Sequence, residues 1–174
     1  MKKIVILLGL TAFVFVGQVV AAEKGFKSIF DGKTLDGWDG DPKFWSVEDG
    51  SITGKTTKEN PTKGNTFIIW NGGKTGDFDL RLDYKIVGGN SGIQYRSFKL
   101  KNGADKWRVG GYQADIDSGP TFSGICYGEA FRGILSLRGK KTTLTLSDDG
   151  KLKKDEEEFS KDADVAKAIK KEQW

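Results

Sequence analysis

The sequence predicts an all-β fold, and three observations carry that prediction. Glycine supplies 24 of 174 residues against only three prolines, about twice its ordinary share of roughly 7%, as expected of many tight turns between short strands. Asp-Gly and Gly-Gly pairs recur along the chain at Asp31-Gly32, Asp36-Gly37, Asp49-Gly50, Gly72-Gly73, Gly88-Gly89 and Asp149-Gly150, each a turn signal. Apolar and polar residues alternate between these turns with a period of two, the mark of a half-buried strand. With 37% hydrophobic and 30% charged residues, the length suits one domain.

Met1 to Ala22 reads as an export signal. Lys2 and Lys3 precede an apolar run from Ile4 to Val16, and Val20-Ala21-Ala22 places small residues before Glu23, suiting cleavage there. The run is short for a membrane span and has no basic cluster after it, so the expectation is a cleaved segment, residues 1–22, ahead of one domain over 23–174, with no stable membrane insertion after cleavage. An exported product, periplasmic or extracellular, follows. No cysteine near the cleavage point offers a lipid anchor. The net charge of +4 includes the two leader lysines, and no basic-aromatic cluster points to nucleic acid.

The domain opens with turns around Phe26, Ile29, Phe30, Leu35 and Trp38. Phe44 to Val47 and Ser51 to Gly54 flank Glu48-Asp49-Gly50 and predict a hairpin. Lys55 to Gly64 is a polar loop, Thr66 to Trp70 a short apolar strand, and Asn71 to Gly76 a turn. Phe78, Leu80, Leu82, Tyr84 and Ile86 then alternate with Asp79, Arg81, Asp83 and Lys85, predicting a strand. Gly88-Gly89-Asn90-Ser91 turns the chain, since Gly and Asn tolerate positive φ. Ile93 to Arg96 and Gly111 to Asp117 repeat the alternation. Phe122–Tyr127 and Phe131–Leu137 are further strands joined by a loop at Gly128-Glu129-Ala130. Thr142 to Ser147 is another, ended by Asp148-Asp149-Gly150, and the charge run Lys151–Glu158 reads as a solvated loop. In the tail from Lys161, Val165 and Ile169 lie four apart, with acids early and lysines late, which predicts one short helix.

Residue counting restricts the chemistry. Cys126 is the sole cysteine, so an intrachain disulfide is excluded, and among Phe122, Ile125 and Tyr127 it reads as a small apolar residue. With no histidine, Ser-His-Asp and Cys-His nucleophile systems and His-ligated zinc are excluded. If the three central strands share a sheet, their polar sides merge into a surface of Arg81, Asp83, Gln94, Arg96, Gln113, Asp115 and Asp117. Carboxylates, guanidinium groups and amides together suit a sugar, whose hydroxyls need donors and acceptors. The plainer reading is the wet face of an antiparallel sheet, with charges paired across strands.

Several stretches, in order, resemble the 3-keto-disaccharide hydrolase family: Ile29–Trp38, Trp45–Gly54, Gly88–Arg96, Gly111–Asp117, and Ser123-Gly124-Ile125 leading to Arg132-Gly133-Ile134-Leu135. The resemblance covers nearly the whole mature chain. It implies a concanavalin-A-like jelly roll, a sandwich of two antiparallel sheets with a carbohydrate site on the concave face, and a hydrolase of 3-keto-glycosides exported by glycan-degrading bacteria. It also implies that Trp174 opens a further strand and that at least one more closes the sandwich, so the expectation is a domain lacking its C-terminal strands.

On this reading the candidate catalytic carboxylates are Asp115, Asp117 and Asp83, with acid and base unassigned. Glycosidic cleavage needs an acid for the leaving oxygen and a second carboxylate. A 3-keto sugar offers another route, because its ketone acidifies the hydrogen at C2. The candidate substrate-binding residues are Gln94, Arg96, Gln113, Asn90, Arg81 and Glu129; Glu129 also reads as an exposed loop glutamate. The alternative for each aspartate is an ion pair with Arg81, Arg96 or Arg132. No cofactor is required. The alternative is a divalent cation such as calcium on Asp115 and Asp117, a hard ion that takes oxygen ligands, although two carboxylates at this spacing form no recognised calcium loop. Trp45, Trp70 and Trp107 are stacking candidates, with hairpin packing the alternative. A non-catalytic carbohydrate-binding module on the same fold is the second functional reading, and an inert envelope protein a third. The sequence sets no oligomeric state.

Overall fold

The computed structural model describes residues 24–101, 105–170 and 172–174; the leader segment 1–22 lies outside them. Over these described residues the chain is all-β, built from antiparallel sheets and one short helix, consistent with a jelly-roll sandwich.

Strands β1 (Trp38–Asp39) and β4 (Ile69–Trp70) pair, and β2 (Trp45–Glu48) and β3 (Ser51–Gly54) form the expected hairpin. Its two turn residues, Asp49 and Gly50, have φ of 49° and 75°, the left-handed pair that matches the twist of two adjoining strands. The main sheet runs β5 (Asn90–Lys99), β6 (Val109–Asp117), β7 (Cys126–Glu129), β8 (Gly133–Ser136) in that order, all antiparallel. Strands β9 (Lys140–Leu146) and β10 (Leu152–Glu158) make a second hairpin, and helix α1 (Asp162–Ala168) follows. The buried apolar residues Val109, Ile116, Ile125 and Leu135 lie in the main sheet and its β6–β7 loop.

Two expectations are corrected here. The run Lys151–Glu158 is not a loop: most of it is strand β10, exposed along its length. Lys140 faces Glu158 and Lys141 faces Glu157 in register, and Lys140 also reaches Glu156 at 3.0 Å. Opposite charges across the ladder let a fully wet strand hold. The segment Phe78–Ile86 is not a strand. It belongs to no sheet, and Phe78, Leu80, Leu82 and Tyr84 are exposed. The alternation in that segment supplies a face but no neighbour: β5 is an edge strand whose one partner is β6.

Candidate active site

The register of the main sheet decides which side chains share a face. Asn90 lies opposite Asp117, Gly92 opposite Asp115, and Gln94 opposite Gln113. On the other side of β6, Gln113 faces Tyr127 and Gly111 faces Glu129. Alternation therefore collects Asn90, Gln94, Gln113, Asp115, Asp117, Tyr127 and Glu129 on one side. This side is not wet. Gln113, Asp115 and Glu129 are 8%, 9% and 7% exposed, while Ala114, on the opposite side of β6, is exposed.

Asp115 accepts a hydrogen bond of 2.6 Å from Gln113 Nε2. Its carboxyl is pushed above the ordinary carboxylate value. Burial is the main cause, the Gln113 bond opposes it, and the negative charges of Asp117 and Glu129 add to it. Gly92 makes the arrangement possible: a Cβ there would stand 2.6 Å from Gln113 Cγ, so only glycine lets the glutamine lie across β5. Gln94 donates through Nε2 to the Val109 carbonyl at 3.1 Å, and its buried Oε1 has no hydrogen-bond partner.

Asp117 serves the loop from β6 to β7. Its carboxylate accepts from the Gly119 N–H at 3.0 Å and the Phe122 N–H at 3.2 Å. The fully buried Ser123 hydroxyl accepts from the Asp117 N–H and donates to its carbonyl, both at 2.8 Å. Behind this loop Arg138, 6% exposed, donates to the carbonyls of Pro120 and Ser123 and pairs with Asp162 of α1 at 2.8 Å. Neither Arg138 nor Ser123, the latter noted only within a family-like stretch, is a site candidate from the sequence, because their roles depend on chain folding back over the loop. Tyr127 was also missed, as only the register sets it beside Gln113.

The other candidates fall elsewhere. Arg96 sits at a bulge between Tyr95 and Phe98 with φ of 49°; the extra residue interrupts the alternation that would have aligned it with Gln94. It pairs with Asp77 at 2.9 Å and borders a cleft of about 480 Å³ lined by Tyr95, Tyr112, Cys126, Leu135 and Leu144. Arg81 pairs with Asp79 and stacks on Phe26, and Asp83 lies on the same unpaired segment. Glu129, expected in a loop, ends β7 and is buried. Arg132 lies over Phe131 rather than against an aspartate. Among the described residues, Asp115 and Asp117 form no ion pair, and no three acidic or cysteine side chains are grouped to hold a metal ion. Trp107 donates to Asp39 at 2.7 Å, which lowers the Asp39 pKa; Trp45 packs across Gly54 in its own hairpin.

Two buried carboxylates and two amides on one sheet face, with no neutralising cation among the described residues, is a costly arrangement for stability alone. Comparison with known proteins places the chain in a family. The 3-keto-alpha-glucoside-1,2-lyase-like domain family matches residues 25–174. The chain belongs to this family. A stretch of 90 residues is 39% identical to a protein of Bacteroides thetaiotaomicron named 3-keto-disaccharide hydrolase, covering 45% of this chain and 29% of that protein's length. No solved structure matches the chain. Of the candidate acids, Asp115 and Asp117 lie on β6 and Asp83 does not. Among the described residues, no helix is long and apolar enough to cross a membrane.

Proposed function

We propose that this chain cleaves 3-keto-glycosides and that Asp115 moves the proton. The observation that carries the reading is a buried carboxylate, held by Gln113 on a sheet face with Glu129, in a chain of the 3-keto-alpha-glucoside-1,2-lyase-like family. The relative named 3-keto-disaccharide hydrolase supports the same substrate class.

The chemistry follows from the ketone. With C3 oxidised, the hydrogen at C2 is acidic. Asp115 as carboxylate takes that proton, the electron pair forms the C1–C2 double bond, and the C1–oxygen bond breaks. The departing oxygen takes up a proton, for which Glu129 is the second buried carboxyl on this face. Water then adding at C1, with a proton returned to C2, completes net hydrolysis. A raised carboxyl pKa makes Asp115 a stronger base once ionised. Asp117 is a poorer choice, since both its oxygens accept loop N–H groups. The free Gln94 Oε1 takes a sugar hydroxyl, and Asn90 lies on the same face at the strand end, opposite Asp117. Asp83, Arg81 and Arg96 are left out of this site. The steps run on side chains alone, without a cofactor, and outside the cytoplasm after removal of residues 1–22.

The test is product formation from an α-3-keto-glucoside in heavy water. The elimination route places deuterium at C2 of the released 3-keto sugar beyond its spontaneous exchange, and Asp115→Asn loses turnover. Release without C2 label moves the reading to direct hydrolysis. Sugar binding without release, unchanged in Asp115→Asn, makes the domain a binding module.

A further inference from the structure

We infer that Tyr127 is a further catalytic residue of this site: its hydroxyl donates to the C3 oxygen of the sugar and holds the negative charge which that oxygen gains as Asp115 takes the C2 proton. The inference rests on the elimination chemistry proposed above. Tyr127 lies on β7, an inner strand with β6 on one side and β8 on the other, so its place in the sheet is fixed from both sides. It stands directly opposite Gln113, whose Nε2 bonds Asp115 at 2.6 Å, and diagonally across from Asp115 itself. Diagonal neighbours on paired strands lie about 7–8 Å apart, within reach of an aromatic side chain. The chemistry asks for two groups spaced in this way. The base stands about 3 Å from C2 and the oxyanion donor about 3 Å from the C3 oxygen, so the two bracket a pair of adjacent carbons.

Charge decides what the second group must be. Proton transfer neutralises Asp115 and moves its negative charge onto the C3 oxygen, on a face that also carries Asp117. A donor aimed at that oxygen stabilises the transition state more than the bound ketone. Both glutamines of the face already commit an amide N–H, Gln113 to Asp115 and Gln94 to the Val109 carbonyl, and carboxylates donate nothing. Tyr127 is half-buried, and among the described residues its hydroxyl takes part in no hydrogen bond. A phenolic O–H is more acidic than an amide N–H, so its bond to an enolate oxygen strengthens more as charge grows. The next strand supports the placement. Cys126 faces Ser136 but Tyr127 faces Ile134, so Leu135 is an extra residue in β8. Leu135 is 4% exposed and lines the cleft behind the sheet with Cys126, whereas Ile134, beside Tyr127, is 41% exposed. Bulges next to active sites re-aim side chains in this manner. In the step itself the C2–hydrogen bond breaks toward Asp115, its electron pair enters the C2–C3 bond, and the carbonyl becomes an enolate oxygen held by Tyr127. As the enolate collapses, the ketone re-forms, the pair moves into the C1–C2 bond and the C1–oxygen bond breaks. Tyr127 keeps its proton throughout.

Turnover of an α-3-keto-glucoside carrying hydrogen or deuterium at C2 tests this, on the full chain and on Tyr127→Phe, which keeps the ring and removes the hydroxyl. The expected kcat is about 10²- to 10³-fold lower, the loss typical of one missing oxyanion donor. KM stays within about threefold, since the interaction belongs to the transition state. The C2 deuterium isotope effect is at least as large as the parent's, because breaking the C2–hydrogen bond becomes the slow step. A kcat within about threefold of the parent, or a loss accompanied by a weaker isotope effect, overturns the proposal and leaves the ring as a packing or stacking surface. Release of sugar by the parent chain in heavy water with no deuterium entering C2 is a separate outcome: it overturns the elimination reading itself, and this proposal with it.

Discussion

Strand β6 and the segment 77–87 carry the same alternation of apolar and polar residues, yet the chain treats them in opposite ways. β6 is held between β5 and β7 and turns its polar side inward, burying Gln113 and Asp115. Residues 77–87 have no sheet partner and leave Phe78, Leu80 and Leu82 in water. Period two therefore specifies that two faces exist, not which one is buried or what lies beside the strand. Burial of a polar face costs free energy unless its groups are bonded. In β6 that cost is met by the Gln113–Asp115 bond, the Asp117 loop bonds and Arg138 behind them. Segment 77–87 has no such support and no such cost.

The contrast yields an ordered set of expectations. The largest concerns turnover: Asp115→Asn should lower kcat on a 3-keto-glucoside by about 10²- to 10⁴-fold, the range for a proton-transfer group, whereas Asp83→Asn, on the exposed segment, should change it less than threefold; steady-state kinetics on the two variants checks this. Equal losses would bring the segment into the site.

Next in size is the support of the buried face. Arg138→Met strips partners from the Pro120 and Ser123 carbonyls and should destabilise by about 3 kcal/mol in denaturant unfolding. Ile116→Ala in β6 should cost about 3 kcal/mol through its cavity. A smaller effect is expected in pH dependence. The Asp115 pKa is raised by folding, so above the unfolded carboxylate value the folded chain holds this proton more tightly, and stability falls as pH rises toward the raised value. Asp115→Asn should remove that downward slope. Asp162, lowered by Arg138, contributes the opposite slope: its stabilisation is present above the unfolded carboxylate value and lost as pH falls through the depressed one. Unfolding midpoints measured from pH 3 to 7 on the Asp115→Asn and Asp162→Asn variants separate the two. Smallest of all, Leu82→Ser should change the unfolding free energy by less than about 0.5 kcal/mol, measured in denaturant unfolding. A loss near that of Ile116→Ala would show the segment packed after all, and would end the contrast.

Some of this was legible in the chain itself. The 45–54 hairpin, the glycine turn at 88–89 and the helix near 162 are local: turn chemistry and charge order within a few residues specify them. The family was legible too, because several motifs stand in one order. The site was legible in part. Gln94, Gln113, Asp115 and Asp117 share a face because two strands in register must align every second residue. Arg96 does not follow, since a bulge with a left-handed residue shifts the phase, and nothing in Tyr-Arg-Ser-Phe announces one. Strand β10 was hidden behind its charge, because a run of lysines and glutamates looks solvated until the opposing lysines of β9 are set across from it.

By itself, then, the sequence determined the strand-and-turn grammar, the absence of histidine and disulfide chemistry, and the family, all of which depend on residue identity and short spacing. Only the tertiary structure decided that the polar side of β6 is buried, that Glu129 shares that side from the next strand, and that Arg138 closes the loop behind it. Those are outcomes of which distant segments pack together, and the free energy of burying a carboxylate depends on its surroundings rather than on its place in the chain.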